Sequence, residues 1–125
     1  MTRTHASSGS PYEPAIGFSR AVRVGSVVAV SGTAPVWPDG EVDPDPAVQA
    51  RQCWDIALDA LAELGGRPEH VVRTRQYVVS ADLADPVGRV HGEVFGEIRP
   101  ASTMVVAGLL DPRWLCEVEL DAVLD

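Results

Sequence analysis

The fold is decided by residues 96–125, GEIRPASTMVVAGLLDPRWLCEVELDAVLD. Arg99-Pro100 predicts extended backbone after a helix that ends at Gly96. Two strand-like runs follow, at residues 103–110 and 114–124. The second run alternates strictly, with apolar residues on one face and three acids on the other, namely Glu117, Glu119 and Asp121. Three acids on one face of the last strand require water, a cation or a functional pocket beside them.

The rest of the chain supplies partners for these two strands. Residues 19–24 and 27–31 predict a hairpin across Gly25-Ser26, and residues 71–80 predict a further strand. Asp45-Pro46 and Asp85-Pro86 each predict a helix start, because a capping Asp precedes a Pro at the first helical position. The predicted order is therefore β-β-α-β-α-β-β.

This order predicts an α+β fold with two helices packed on one face of a mixed sheet. The opposite face is exposed unless another subunit covers it, so we expect an oligomer. The 125 residues are expected to form a single domain spanning 1–125. Within it, residues 1–14 are rich in Ser, Thr, Gly and Pro and are expected to be a loosely held, flexible arm.

Composition excludes several function classes. Acids exceed bases by 18 − 10 = 8, and this charge opposes binding to nucleic acid. No apolar run reaches the ~20 residues of a membrane helix, and no hydrophobic leader is present, so a cytoplasmic location without membrane partners is expected. Cys53 and Cys116 are expected to be buried free thiols. Neither metal-ligand spacing nor a phosphate or dinucleotide motif occurs, so neither metal nor cofactor is expected.

Five segments in this order and spacing resemble the RidA family, also called YjgF or L-PSP. They are IGFSRAVRVGSVVAVSGT, QARQCWDIALDALAELGG, HVVRTRQYVVS, HGEVFGEIRPAST and LCEVEL. The resemblance implies a chorismate-mutase-like α+β fold and a homotrimer with three small-molecule clefts between subunits. It also implies an activity, because the best-understood members hydrolyse reactive imines and enamines to ketoacids and ammonia.

The resemblance also implies site residues. Ser31-Gly32 match a Ser-Gly whose backbone lines the cleft, and Glu117 matches the acid that positions the attacking water. Phe18 stands where deaminating members carry Tyr. Gly88 and His91 stand where many members carry Asn and Tyr. Ser102 stands in place of an Arg that binds the substrate carboxylate. Thr103 lies beside it in the sequence and is a second candidate hydroxyl donor to the ligand.

The replacement at position 102 predicts weak or absent deamination of 2-iminoacids. Arg offers a positively charged fork that binds a carboxylate bidentately, whereas Ser102 offers one neutral hydroxyl. With Glu117 retained, such a pocket repels an anion. Arg75 and Arg99 are the candidate substitutes for the missing cation.

The roles of the individual residues stay open at this point. Glu117 is either a general base or a solvent-facing strand residue. His91 lies on an apolar helix stripe, where core packing is favoured over catalysis. Ser102 lacks a motif-defined histidine base and is interpreted as a hydroxyl donor to a ligand rather than a nucleophile.

Two functions follow from these alternatives. One is an enzyme with altered substrate choice, and the other is a non-catalytic binding or regulatory trimer. A ribonuclease fits poorly with the charge of −8.

Overall fold

The computed structural model describes residues 2–125. It contains six strands: β1 (Arg3–Ala6), β2 (Ala21–Val24), β3 (Val27–Thr33), β4 (Val71–Val78), β5 (Ala101–Val106) and β6 (Cys116–Val123). It contains three α-helices: α1 (Tyr12–Ile16), α2 (Pro46–Glu63) and α3 (Ala84–Phe95). Short 3₁₀ turns at Pro68–His70 and Ala81–Leu83 precede β4 and α3. None of the helices in the described part of the chain is long and apolar enough to cross a membrane.

The strands form one six-stranded sheet in the order β1-β2-β3-β6-β4-β5. Only β4 and β5 pair in parallel, and α3 makes the connection between them. The other pairs are antiparallel. The predicted α+β fold with a mixed sheet is therefore confirmed, and β1 and β5 are its two edge strands.

Helices α2 and α3 cover one face of the sheet, which we call the helix-bearing face. The Asp45 carboxylate caps α2 by accepting from Val48 N at 3.0 Å, as the sequence predicts. The residue spacing along α2 places six apolar side chains in one stripe, and all are buried: Ala50, Cys53, Trp54, Ala57, Leu61 and Leu64. Fully buried Trp54 packs edge-to-face on Phe95 of α3 with ring centroids 4.9 Å apart. Alternation along β6 buries its apolar residues against these helices. Cys53 and Cys116 lie in this core as free thiols, as expected.

A buried glutamine ties α2 to two loops. Gln49 Nε2 donates to Asp43 O at 2.7 Å and to Arg113 O at 3.0 Å, and Gln49 Oε1 accepts from Leu115 N at 2.8 Å. Both the nitrogen and the oxygen of the Gln49 side-chain amide are thus hydrogen-bonded, as a polar side chain inside the core requires. This glutamine holds the 111–115 turn that leads into β6.

The amino-terminal residues differ from the loosely held arm expected from composition. Residues 3–6 form β1, which pairs antiparallel with β2 from Arg3–Val24 to Ala6–Ala21. Residues 12–16 form α1, which ends at Gly17 in the left-handed region (φ 92°). The physical reason is backbone pairing: the polar segment RTHA gains ladder hydrogen bonds at the sheet edge without an apolar pattern of its own.

Two predictions around α3 are wrong. The helix begins at Ala84 after the N-cap residue Leu83, which makes no side-chain cap, so Asp85 lies inside the first turn. There Asp85 pairs with Arg89 at 2.8 Å instead of capping the helix. Arg99 is not extended: its φ is 54°, in the left-handed region, and its N–H donates to Phe95 O at 2.8 Å. The chain therefore turns sharply before β5.

The face opposite the helices, here the open face, is charged around β4 and β6 rather than apolar. Arg75 Nη1 lies 3.2 Å from Asp121 Oδ2 and 3.7 Å from Glu119 Oε1. Tyr77 donates its hydroxyl to Glu119 at 2.7 Å, and this hydrogen bond raises the pKa of Tyr77. Two of the three acids that alternation places on one face of β6, Glu119 and Asp121, are thus paired with basic and hydroxyl groups of β4.

Candidate functional site

A β-bulge at Ser31-Gly32 interrupts the pairing of β3 with β6. The register is regular up to Val30–Leu120 and resumes, shifted, at Thr33–Val118. Ser31 closes the bulge on the preceding loop, because its N–H donates to Arg20 O at 3.0 Å and its hydroxyl donates to Ser19 O at 2.6 Å. Bulges re-aim side chains and recur next to active sites. This one presents the two residues that the sequence predicts to line a cleft.

Glu117 lies against the bulge. A Cβ built on Gly32 would stand 2.5 Å from Glu117 Oε2, so only glycine leaves room for the carboxylate there. Glu117 is half-buried, and this burial raises the pKa of its carboxyl. The positive charge of Arg20 opposes that shift and the negative charge of Glu119 adds to it.

Arg20 is a site residue that sequence reasoning missed. Its Nη2 donates to Gly32 O, and its charge faces Glu117 and Glu13. Burial lowers the pKa of Arg20 while the two carboxylates raise it. The guanidinium nevertheless remains charged at any physiological pH. The buried and half-buried charges of Arg20, Glu13 and Glu117 come together only in the tertiary structure, so no local pattern around Arg20 could have indicated this cluster.

Glu13 fixes this cluster to the amino-terminal segment. It is buried and accepts from Ser7 Oγ at 2.8 Å, Ser8 N at 3.1 Å and Ser8 Oγ at 2.5 Å. These hydrogen bonds, that of the Ser8 hydroxyl first, lower the pKa of Glu13 although burial opposes them. Glu13 is therefore a stable anion that balances Arg20.

The largest nearby space is a cavity of about 650 Å³ on the open face. Phe18 and Ser31 line it, together with Glu13, Arg75, Glu119 and Asp121. Three of its charged groups are already paired, since Arg75 contacts both Glu119 and Asp121 of β6, whereas Arg3 also lines the wall. Phe18 is partly exposed at 37% and contributes an apolar ring to the wall.

The other predicted residues lie at the β5 edge. Ser102 pairs in register with Thr74, and Thr103 pairs with Arg75. Both β5 residues are exposed, and Thr103 Oγ1 has one long contact, 3.4 Å from Arg73 Nη2. Gly88 lies in α3 with open space around it up to Met104 Cε at 3.9 Å.

His91 is a packing residue in this structure. Its Nε2 lies 2.8 Å from the hydroxyl of buried Thr74. Its ring packs on Trp54 and Phe95, with centroids 5.6 and 4.8 Å away. Burial lowers the pKa of His91, so the ring is neutral at pH 7. This geometry agrees with the core-packing interpretation.

Within one chain, the predicted residues form two separate groups. We call Phe18, Ser31, Gly32 and Glu117 the bulge half-site, and Gly88, His91, Ser102 and Thr103 the edge half-site. Cross-strand neighbours share a face, so Ser102 lies on the helix-bearing face beside Thr74, whereas Thr103, paired with Arg75, lies on the open face. Glu117 pairs with Tyr77 on the open face. Ser102 and Glu117 also belong to strands separated by β4.

Neither candidate substitute joins Ser102. Arg75 is held by Asp121 and Glu119 on the open face. Arg99 is exposed, and no side-chain hydrogen bond or ion pair to it occurs among residues 2–125. No group of three or more His, Cys, Asp or Glu in residues 2–125 is placed to hold a metal ion.

The fold and these half-sites define a class of small α+β proteins with a bulged sheet and a glutamate on its open face. The family model described as Endoribonuclease L-PSP matches residues 9–124. Uncharacterized protein SCO2049 of Streptomyces coelicolor is 42% identical over 119 residues, which cover 92% of this chain and 87% of that protein. A RutC family protein of Pyrococcus abyssi is 30% identical, with 82% of each chain covered.

Solved structures agree with the sequence comparisons. Rv2704 of Mycobacterium tuberculosis, described as a member of the YjgF/YER057c/UK114 family, superposes with a TM-score of 0.90 at 41% identity. The match covers 98% of this chain and 100% of Rv2704. The chain therefore belongs to the Endoribonuclease L-PSP family, also known as YjgF or RidA. Membership supports a small-molecule-binding or enzyme-like role in general terms.

Proposed function

We propose that the protein is a homotrimer whose clefts between subunits bind a small imine, enamine or related carbonyl compound, and that Glu117 positions the water that hydrolyses it. The observation that carries this proposal is the separation of the two half-sites. Because Ser102 and Glu117 face opposite sides of one sheet, a ligand that touches both must contact two subunits. Head-to-tail association of unlike surfaces closes into rings.

The chemistry follows from the position of Glu117. A half-buried carboxylate whose pKa is raised by burial is a stronger base than an exposed one. Glu117 would accept a proton from a water molecule as the oxygen attacks the imine carbon. That proton would pass to the imine nitrogen, which gives a carbinolamine. The hydroxyl proton of the carbinolamine would then be transferred through Glu117 to the amino nitrogen as the C–N bond breaks, so that ammonia leaves, the carbonyl forms and Glu117 returns to its ionised form. The positive charge of Arg20 opposes this rise of the Glu117 pKa and so favours the ionised form.

The charges of the site favour neutral substrates over anionic ones. Beside Glu117, Arg20 is flanked by Glu13 and Glu117, and Arg75 by Glu119 and Asp121, so neither presents an unbalanced positive charge to a ligand on this side of the sheet. Ser102 is exposed and neutral. A buried carboxylate deprived of its cationic partner loses about 2–5 kcal/mol of binding free energy. We therefore propose that 2-iminoacids are poor substrates.

The test compares wild type with Glu117→Ala and Ser102→Arg on two generated substrates, a 2-iminoacid and a neutral imine. We expect wild type to favour the neutral imine, Glu117→Ala to lose turnover of both, and Ser102→Arg to gain turnover of the 2-iminoacid. Light scattering should give the mass of three 13.3-kDa chains. Ordinary turnover of 2-iminoacids by wild type, or a monomer in solution, would contradict the proposal.

A binding or regulatory trimer without turnover is the second candidate. Three positions favour it, because Phe18, Gly88 and Ser102 lack the hydroxyl, amide and guanidinium of deaminating members. Its mark would be a ligand bound with equal affinity by wild type and Glu117→Gln and converted by neither. RNA cleavage is not proposed, because the charge of −8 repels phosphates.

A further inference from the structure

A second cavity lies away from the open face, between the amino-terminal loop, the 33–40 loop and the 111–114 turn. It measures about 520 Å³. Its wall includes three aromatic rings, Tyr12, Trp37 and Trp114, of which Tyr12 is 66% exposed and Trp37 38%. We call this space the aromatic cavity. None of the predicted site residues lines it.

The wall of the aromatic cavity carries positively charged side chains, although the chain as a whole has a net negative charge. The protein carries 18 acids, yet no Asp or Glu lines the aromatic cavity, whereas Arg20 and Arg113 do. The open-face cavity, by contrast, has Glu13, Glu119 and Asp121 in its wall. Glu13 and Glu117 balance Arg20, and Asp111 balances Arg113, but none of these three carboxylates lines the aromatic cavity. Asp111 accepts from Arg113 Nη2 at 2.9 Å. The arginines are therefore oriented in advance.

Two side chains of the wall carry buried N–H groups without an acceptor. Arg20 Nε and Trp114 Nε1 make no hydrogen bond within residues 2–125. Buried donors are normally paired, and an unpaired one calls for a missing acceptor. Both atoms lie beneath the surface of the wall, so an acceptor that enters the cavity would reach them only if the wall moves. Aromatic rings and guanidinium groups together favour a planar ligand with negative charge.

We infer that the aromatic cavity is a second binding site, and that it takes a small aromatic carboxylate. The ring stacks among Trp37, Trp114 and Tyr12, and the carboxylate faces Arg20 and Arg113. The wall of this site contains neither Glu117 nor any residue of β5, and of the charged groups around Glu117 it includes only Arg20. Its ligand is anionic, whereas the substrate of the clefts is neutral.

The experiment is isothermal titration calorimetry of the full chain with benzoate, benzamide and acetate. Benzamide retains the ring without the charge, and acetate retains the charge without the ring. We expect benzoate to bind at least about tenfold more tightly than either, because charged hydrogen bonds and ring contacts are both required. Benzoate should also change the tryptophan fluorescence, since two of the three tryptophans line the cavity.

Two variants locate the site. Arg113→Gln and Trp37→Leu alter partly exposed side chains, and each should weaken benzoate binding by about fivefold or more. Arg89→Gln, an exposed arginine of α3 remote from the cavity, should change it less than about twofold. Thermal unfolding verifies that each variant is folded. Equal affinity for benzoate and benzamide, no binding, or unchanged binding in both cavity variants would overturn the inference.

Discussion

The bulge half-site and the edge half-site differ in how firmly the chain holds them. In the bulge half-site, backbone and charge contacts fix each group: Ser31 is hydrogen-bonded through its N–H and its hydroxyl, and Gly32 O accepts from Arg20. In the edge half-site, Ser102 and Thr103 are exposed, and the 3.4 Å contact of Thr103 is long. The bulge half-site is preorganised, whereas in the edge half-site only His91 is held firmly and the two β5 residues make few contacts within the chain.

This comparison bears on catalysis. Groups that act on water need fixed geometry, because a misplacement of about 1 Å costs roughly 10²-fold in rate. Groups that choose a substrate tolerate more change, since they act through charge and shape. Glu117 lies in the fixed half, and the position that departs most from the deaminating pattern, Ser102, lies in the adaptable half. Four predictions use this contrast, in order of decreasing effect.

The largest effect should be on the free energy of unfolding, when Arg20 beside the bulge is compared with Arg73 at the sheet edge. Arg20→Gln should lower the free energy of unfolding by about 2–3 kcal/mol, because it leaves Glu13 and Glu117 without their shared cation. The loss is below that of a fully buried pair, since Arg20 is only partly buried. Arg73→Gln at the edge should cost less than about 0.5 kcal/mol. Urea unfolding measures both, and equal losses would contradict the contrast.

Alanine at the two glycine positions should have opposite effects: Gly32→Ala should impair turnover, whereas Gly88→Ala should stabilise the protein. Gly32→Ala places a Cβ 2.5 Å from Glu117 Oε2, so the carboxylate must move and ligand conversion should fall at least about tenfold. Gly88→Ala meets only Met104 Cε at 3.9 Å and should stabilise α3 by about 0.5–1 kcal/mol. Thermal unfolding and turnover measure the pair. Normal activity in Gly32→Ala would show that Glu117 needs no fixed position.

The third prediction concerns pH and His91. Burial lowers the pKa of His91, so the unfolded chain takes up a proton more readily than the folded one. Stability should therefore fall as pH drops through the unfolded-state value of about 6.5 and onward. His91→Gln should remove about 1 kcal/mol or less of that dependence, because the ring is only partly buried. If the free energy of unfolding of wild type and of His91→Gln had the same pH dependence, this prediction would be wrong.

The smallest effect should come from Glu117, with the opposite sign. Burial raises the pKa of Glu117, so its ionised form is disfavoured in the folded chain at pH 7. Glu117→Gln should raise the free energy of unfolding by a few tenths of a kcal/mol, reduced by solvent screening. The gain should shrink as pH falls through that raised pKa. Glu93→Gln, an exposed control on α3, should show no such gain.

Much of the fold was predictable because local signals agreed with it. The Asp45-Pro46 cap, the stripe of α2 and the alternation of β6 each follow from residue spacing, and the structure has all three. Strand β1 was not predictable, since RTHA has no apolar alternation and pairs only because β2 offers an edge. Asp85-Pro86 gave a false cap because the 3₁₀ turn before it already starts the helix.

The candidate site was predictable only in part. The resemblance gives the identity of the residues in both half-sites, and the bulge then explains why Gly32 accompanies Glu117. It does not give Arg20, whose partners come from α1 and β6 and meet only in the folded chain. It also does not show that Arg75 is already paired with acids of β6, because those contacts depend on strand register.

The hydrogen bonds of Glu13 have a practical consequence. Ser7 and Ser8 hold Glu13, Glu13 balances Arg20, and Arg20 donates to the bulge carbonyl beside Glu117. A deletion that removes Ser7 and Ser8 would therefore disturb the surroundings of Glu117 indirectly, through Glu13 and Arg20.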